Sequence, residues 1–144
     1  MKKWIALVVM ANLFGVMLAI MASDEASADY SRVERMAQNV IGDSPDIYNF
    51  NIKISEDEVT VSYNCSKDDV LMTVAEVAGV YAGIVDYAPG VGDLHASAFD
   101  SNGRRIIHYS CLKSWVIDCN NDQKAHESLD RVFGTITWFE GVER

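Results

Sequence analysis

The sequence has few prolines, few basic residues and no recognisable catalytic motif, and each of these absences excludes a class of protein. Only 2 Pro and 9 Gly among 144 residues exclude collagen-like and low-complexity chains. Lys and Arg number 12 against 21 Asp and Glu, a net charge of −9. Nucleic acid is therefore excluded as a partner, because neutralising phosphates requires clustered basic side chains. The absence of a phosphate-binding glycine loop, a Ser/His/Asp set or a CxxC pair favours a non-enzymatic role without a cofactor.

Residues 1–28 form a predicted leader. Lys2 and Lys3 are followed by an uncharged run from Trp4 to Ala22. This order of a basic start and an apolar run is typical of a secretory signal peptide. The run is also long enough to span a bilayer, and the lysines would then remain on the cytoplasmic side.

The end of the leader favours cleavage over retention as an anchor. Ala26 and Ala28 occupy the −3 and −1 positions of an A-x-A peptidase site. The alternative is a domain tethered to the membrane by residues 4–22. Both interpretations place residues 29–144 outside the cytoplasm, as a single domain whose length suits one hydrophobic core.

The first part of this domain reads as a helix followed by a β-hairpin. Apolar residues recur at helical spacing from Asp29 to Ile41, and Gly42 and Pro45 end the pattern. From Phe50 to Tyr63 the period becomes two, which predicts two strands with one apolar and one polar face.

The second part repeats this order and ends with a further helix. Ser66-Lys67-Asp68-Asp69 has the pattern of a capping box before an apolar helix that runs to about Tyr87. A hairpin over 94–111 turns at Asn102-Gly103, and a last helix starts near Asp122. We therefore predict a two-layer α+β domain of order α-ββ-α-ββ-α, with a four-stranded antiparallel sheet of two hairpins and three helices on one face. The tail from Thr137 to Glu140 stays unassigned.

The two αββ blocks resemble each other at an offset of 46 residues. Val61 to Lys67 aligns with Ile107 to Lys113, and the helix stops fall at nearly the same offset. The resemblance indicates either an internal duplication or the convergence of two hairpins of similar length. We favour convergence because it needs no shared history.

Three cysteines, Cys65, Cys111 and Cys119, follow the leader. An exported location permits disulfides, and an odd number leaves at least one thiol unpaired or paired between chains. Cys111 could pair with Cys119, which is near in sequence, or with Cys65, which ends a matching strand. A nucleophilic Cys65 is a further alternative, although Asp68 and Asp69 oppose a thiolate there.

Two histidines fall on the polar face of the second hairpin. The alternation places His95 and His108 on the same face, either opposite or diagonal to each other. Asp93 precedes His95 by two residues on the same side, so a divalent metal site with two histidines and one carboxylate can be drawn. The competing interpretation is a pair of histidines hydrogen-bonded to Ser97, Ser110 or water.

The same face predicts a binding surface. It carries Phe99 and Ile106 opposite each other beside the two histidines, which is more apolar than solvent exposure alone requires. Arg104 and Arg105 are expected to pair with nearby acids. Our leading hypothesis is a non-enzymatic exported or membrane-anchored domain that binds a protein partner, a second copy or a ligand through this open face. The alternative hypothesis is a metal-binding or metal-dependent hydrolytic domain centred on His95 and His108.

Overall fold

The computed structural model describes residues 30–117 and 122–139. The predicted leader over 1–28 lies outside the described residues, as does Cys119. Export and the domain boundary therefore stay predictions. Within the described ranges the chain is α+β, as the sequence predicts, but the sheet differs in detail.

The described elements alternate between helices and strands along the chain. In order they are α1 (Tyr30–Gly42), β1 (Ile47–Ile54), β2 (Glu58–Cys65), a 3-10 turn (Lys67–Asp69), α2 (Val70–Tyr87), β3 (Asp93–Phe99), β4 (Arg105–Cys111), α3 (Lys113–Val116), α4 (Asp122–Phe133) and β5 (Thr137–Trp138). Ser66 caps the 3-10 turn, because its side chain accepts a hydrogen bond from the Asp68 amide, whereas α2 begins after Asp69 without a side-chain cap.

The strands form one mixed five-stranded sheet in the order β1-β2-β3-β4-β5. Both predicted hairpins form, with Ile54 beside Val59 and Ser97 beside His108, but the register of each shifts at one point. They join differently from the prediction, because β2 and β3 are parallel. The fully antiparallel four-stranded arrangement is therefore wrong, and β5 adds a short fifth strand to β4.

The length of α2 explains the parallel pairing. A helix of 18 residues is about 27 Å long, close to the roughly 26 Å of an eight-residue strand. The helix therefore returns the chain to the end of the sheet at which β2 began. Asp93 accordingly lies beside Glu58, and the two strands run in the same direction.

The core lies between the helices and one face of the sheet. Helix α2 is buried around most of its circumference, as its composition predicts. Among the described residues, one helical segment, Lys67–Tyr87, is long and apolar enough to cross a membrane, and 72% of its most apolar window is buried inside the protein. Such burial is what a central core helix requires.

The topology favours convergence over duplication for the two similar hairpins. Both turn their apolar side toward the helices, as the buried Ile52 and Leu94 show. Seen from the helix layer with β1 at the left and pointing up, β3 points down, yet each hairpin places its second strand to the right of its first. The two hairpins therefore have opposite hands and cannot be superimposed with the same face inward.

A chain of hydroxyl groups crosses the core from the sheet to α2. The Tyr63 hydroxyl lies 2.8 Å from Thr73 Oγ1 and 2.9 Å from the Tyr109 hydroxyl. Thr73 donates its own proton to the Val70 carbonyl at 2.6 Å, so it must accept from Tyr63, and Tyr63 must accept from Tyr109. Burial raises the pKa of both phenols, which keeps them protonated donors at neutral pH.

This direction predicts unequal effects of removing the two hydroxyls. Tyr109→Phe removes the first donor and is expected to lower the free energy of unfolding by about 1 kcal/mol. Tyr63→Phe leaves the buried Tyr109 hydroxyl without an acceptor, so its cost is expected to be larger, about 2–3 kcal/mol. Urea unfolding of both variants measures the difference, and equal or reversed costs would contradict the assigned direction.

Gly92 allows the start of β3 to lie against the β1–β2 turn. A Cβ atom at this position would lie 2.2 Å from the carbonyl carbon and oxygen of Asp57. The Gly92 amide donates to Ser55 O at 3.0 Å, and its carbonyl accepts from the Tyr81 hydroxyl at 2.8 Å. This close approach of two backbones leaves no space for a side chain.

Gly92→Ala is expected to lower the free energy of unfolding by roughly 1–3 kcal/mol, because the turn must move to admit the methyl group. Gly42→Ala is the matched control, since a Cβ atom there meets nothing within 4 Å at the end of α1. The control is expected to be neutral or stabilising by up to about 1 kcal/mol. Urea unfolding compares the two, and equal effects would show that the approach at Gly92 is not restrictive.

Candidate functional site

The face of the sheet opposite the helices is polar and carries no buried side chain. We call it the open face. Its members come from five strands and are either exposed or half-buried: Tyr48, Asn51, Lys53, Glu58, Thr60, Ser62, Asn64, Asp93, His95, Ser97, Phe99, Arg105, His108, Ser110 and Thr137. They form cross-strand rows, of which the central one runs Asn51, Ser62, Ser97, His108, Thr137. The predicted orientation of the second hairpin is therefore correct for the two histidines.

The histidine pair occupies the middle of this face. His95 pairs with Ser110 and His108 with Ser97, so the two imidazoles are diagonal neighbours. Their ring centroids are 6.3 Å apart and the rings are nearly parallel, at 12°. His108 Nδ1 lies 3.0 Å from Ser97 Oγ, which fixes the orientation of its ring.

The structure does not bring together the three residues of the suggested metal site, His95, His108 and Asp93. The Asp93 carboxylate accepts a hydrogen bond from the Lys113 amide at 2.8 Å, at the start of α3. Among the described residues, no group of three His, Cys, Asp or Glu side chains is placed to hold a metal ion. The two imidazoles alone would supply two ligands, whereas zinc sites in proteins have at least three.

The structure corrects the predicted contact between Phe99 and Ile106. Ile106 is fully buried, and Phe99 pairs with Arg105 instead. The cause is the turn, in which the Asp100 carboxylate accepts from the amides of Asn102 and Arg104 and organises a wider loop than a two-residue turn. The register shifts between Ala98 and Phe99, which turns Ile106 into the core.

Arg105 takes the place on the open face that the prediction gave to Ile106. Its guanidinium carbon lies 5.6 Å from the centre of the Phe99 ring and 5.0 Å from that of Phe139. Phe139 is held beside it because its amide donates to Ile106 O at 3.1 Å. Two aromatic contacts therefore position an exposed guanidinium, each worth about 0.5–1 kcal/mol at an exposed site. The neighbouring Arg104 does pair with an acid, at 3.5 Å from Asp100.

The charges of the open face are unevenly distributed. Its members include Lys53, Arg105 and two histidines, in a chain with an excess of acids. The acids on the same face, Glu58 and Asp93, pair with each other at one end of the sheet. Charge is thus segregated, with a basic centre and an acidic end.

Some outward backbone groups of β1 and β4 are already bonded, which limits pairing with a further strand. On β1, the positive φ of Asn49 accompanies a bulge, and the Ile54 amide donates to the Glu34 carboxylate at 2.8 Å. On β4, the Thr135 hydroxyl accepts from the Ser110 amide and lies 3.0 Å from the Ser110 carbonyl. Covered edge groups cannot recruit another strand.

Of the two disulfides open to the sequence, the strand register rules out the one between Cys65 and Cys111. Cys65 ends β2, whereas Cys111 pairs with Leu94, which lies beside Val59 at the start of β2. The two thiols are therefore at opposite ends of the sheet, about 20 Å apart at the rise of a strand. The alternative pairing with Cys119 falls outside the described residues and stays a prediction.

The environment of Cys65 opposes a nucleophilic role. Burial raises the pKa of this thiol to about 11, and the carboxylates of Asp69 and Asp46 act in the same direction. A reactive cysteine requires the opposite, a lowered pKa in an electropositive and accessible setting. At neutral pH Cys65 is therefore a buried thiol.

Comparison with known proteins identifies no relative. No family description, no curated protein and no solved structure matches the chain. The argument for function consequently depends on the geometry and charge of the open face.

The geometry predicts that the histidine pair does not hold a stoichiometric metal ion. The protein purified without chelators is expected to contain a substoichiometric amount of zinc, copper, nickel and iron by elemental analysis. His95→Ala is expected to leave that content unchanged, with Ser97→Ala as the control on the same face. A stoichiometric ion that His95→Ala removes would restore the metal-centred hypothesis.

Proposed function

We propose that this protein is an exported binding module, secreted or tethered through residues 4–22, which contacts a protein partner through the open face of its sheet. The observation that supports this most directly is the segregation of charge. Basic and imidazole side chains form a diagonal line across the open face of an acidic domain, whereas the acids Glu58 and Asp93 of that face lie together at one end. A binding face needs such a departure from the average surface to discriminate between partners.

The partly bonded edges of the sheet support a partner that docks on the side chains of the face. Short hydroxyl residues lie between the basic ones: Thr60, Ser62, Ser97, Ser110 and Thr137. A protein partner can cover the broad area that these short side chains and their neighbours span. Longer side chains at its margin, such as Lys53 and Arg105, are exposed and can close around a docked segment.

The accessibility of substituted cysteines in intact host cells tests the proposal. Ser62→Cys places a thiol at the centre of the open face, and Asn39→Cys places one on the exposed side of α1 as the control. Cys119→Ser supplies the background, because Cys65 and Cys111 are buried. A membrane-impermeant maleimide is expected to label position 39 equally fast in cells and on purified protein, and position 62 severalfold more slowly in cells.

Two results would contradict this account, each in a different part. Equal labelling of position 62 in cells and in solution would show that nothing covers the face. Labelling of both positions only after permeabilisation would show that the domain is not exported. Slow labelling of position 62 on the purified protein, relieved by dilution, would identify the partner as a second copy.

A further inference from the structure

We infer that the segment docking on the open face is an acidic stretch of polypeptide, recognised by a basic track of Lys53, His95, His108 and Arg105. This inference depends on the proposed function and names the chemistry of its partner. The track crosses the face diagonally from β1 to β4, and its members are brought together by the strand register. No single stretch of sequence contains it.

The spacing of the track suits an extended chain. Lys53 and His95 flank Thr60 in one cross-strand row, and the His95 and His108 rings are 6.3 Å apart. Successive side chains on one side of an extended peptide are about 7 Å apart. Alternate carboxylates of an acidic strand can therefore each meet a basic group of the track.

Of the four residues of the track, Arg105 has the side chain best positioned to bind a carboxylate. Its contacts with Phe99 and Phe139 hold the guanidinium in place before a ligand arrives, so less side-chain entropy is lost on binding. A guanidinium offers paired N–H groups from which a carboxylate can accept two parallel hydrogen bonds. A lysine at this position would offer neither the stacking nor the paired donors.

The acidic end of the sheet argues for a polypeptide and against an anionic membrane. Glu56, Asp57 and Glu58 are exposed at the β1–β2 turn, beside Asp93. A flat anionic membrane covering the whole face would be repelled by this end and by the net charge of −9. A narrow peptide segment can follow the track without meeting the acidic end.

Protonation of His108 is expected to strengthen the interaction. Partial burial lowers the pKa of His108, and the neighbouring charges of Arg105 and His95 lower it further. The residues on β5 beside it, Thr137 and Trp138, do not titrate. A bound carboxylate stabilises the charged imidazole and raises its pKa, so affinity rises as the pH falls toward the pKa of the free protein.

The test measures binding of a fluorescein-labelled octaglutamate peptide to the full chain in zwitterionic micelles, by anisotropy. Ionic strength is kept on the order of 0.05 M, where screening is weak. Octaglutamate is expected to bind and octaglutamine not to bind. Arg105→Gln is expected to weaken binding roughly three- to tenfold. Arg35→Gln, the same change on the exposed side of α1, is expected to leave it nearly unchanged.

The pH dependence supplies a second readout. Binding is expected to tighten between about pH 7.5 and about pH 5.5, where histidine titrates and glutamate stays ionised. His108→Gln is expected to reduce this change, whereas His126→Gln on α4 is expected to retain it. Unaltered urea midpoints would show that the variants remain folded.

Three outcomes would overturn the inference. Equal losses for Arg105→Gln and Arg35→Gln would show unspecific attraction rather than a track. An Arg105-dependent interaction with phosphatidylserine doped into the micelles, without peptide binding, would show that the occupant is a membrane. Absence of octaglutamate binding while position 62 stays protected in cells would reject the acidic partner but retain the binding face.

Discussion

The parallel pairing of β2 with β3 is the constraint on which the rest of the structure depends. Helix α2 is long enough to return the chain along the whole length of β2, so β3 must start beside the beginning of that strand. The start of β3 is held there by Gly92, whose missing side chain lets two backbones approach. One buried helix thus fixes the order of the strands and the register in which the two hairpins pair.

The properties of the open face follow from this pairing. Because the strands are in register, His95 of β3 lies in the same row as Thr60 of β2 and Lys53 of β1. Because all helices described pack on the other side, these polar groups remain at the surface. The bulge before Ile107 turns Ile106 into the core. Arg105 therefore lies on the open face beside Phe99, near the rings of Phe99 and Phe139. A basic track on an acidic domain is the result.

Periodicity predicted what depends on neighbours in sequence, namely the main helices, both hairpins and the faces of His95 and His108. Periodicity failed where the structure depends on contacts between segments that are far apart in the sequence. The antiparallel sheet was wrong because counting hairpins ignores the crossover, although a long helix between strands is the usual sign of parallel neighbours. Ile106 was misplaced because strict alternation was assumed, whereas the adjacent apolar pair Ile106-Ile107 is a signal of a bulge. Phe139 could not be assigned, since its position depends on pairing with β4.

Backbone nuclear Overhauser contacts between β2 and β3 test the central constraint most directly. The account predicts contacts from Val59 to Leu94 at one end of the strands and from Tyr63 to Ala98 at the other, as parallel strands require. Contacts from Val59 to Ala98, with none to Leu94, would show antiparallel strands. The shared row of Lys53, Thr60 and His95 would then not exist, and the proposed track would be contradicted with it.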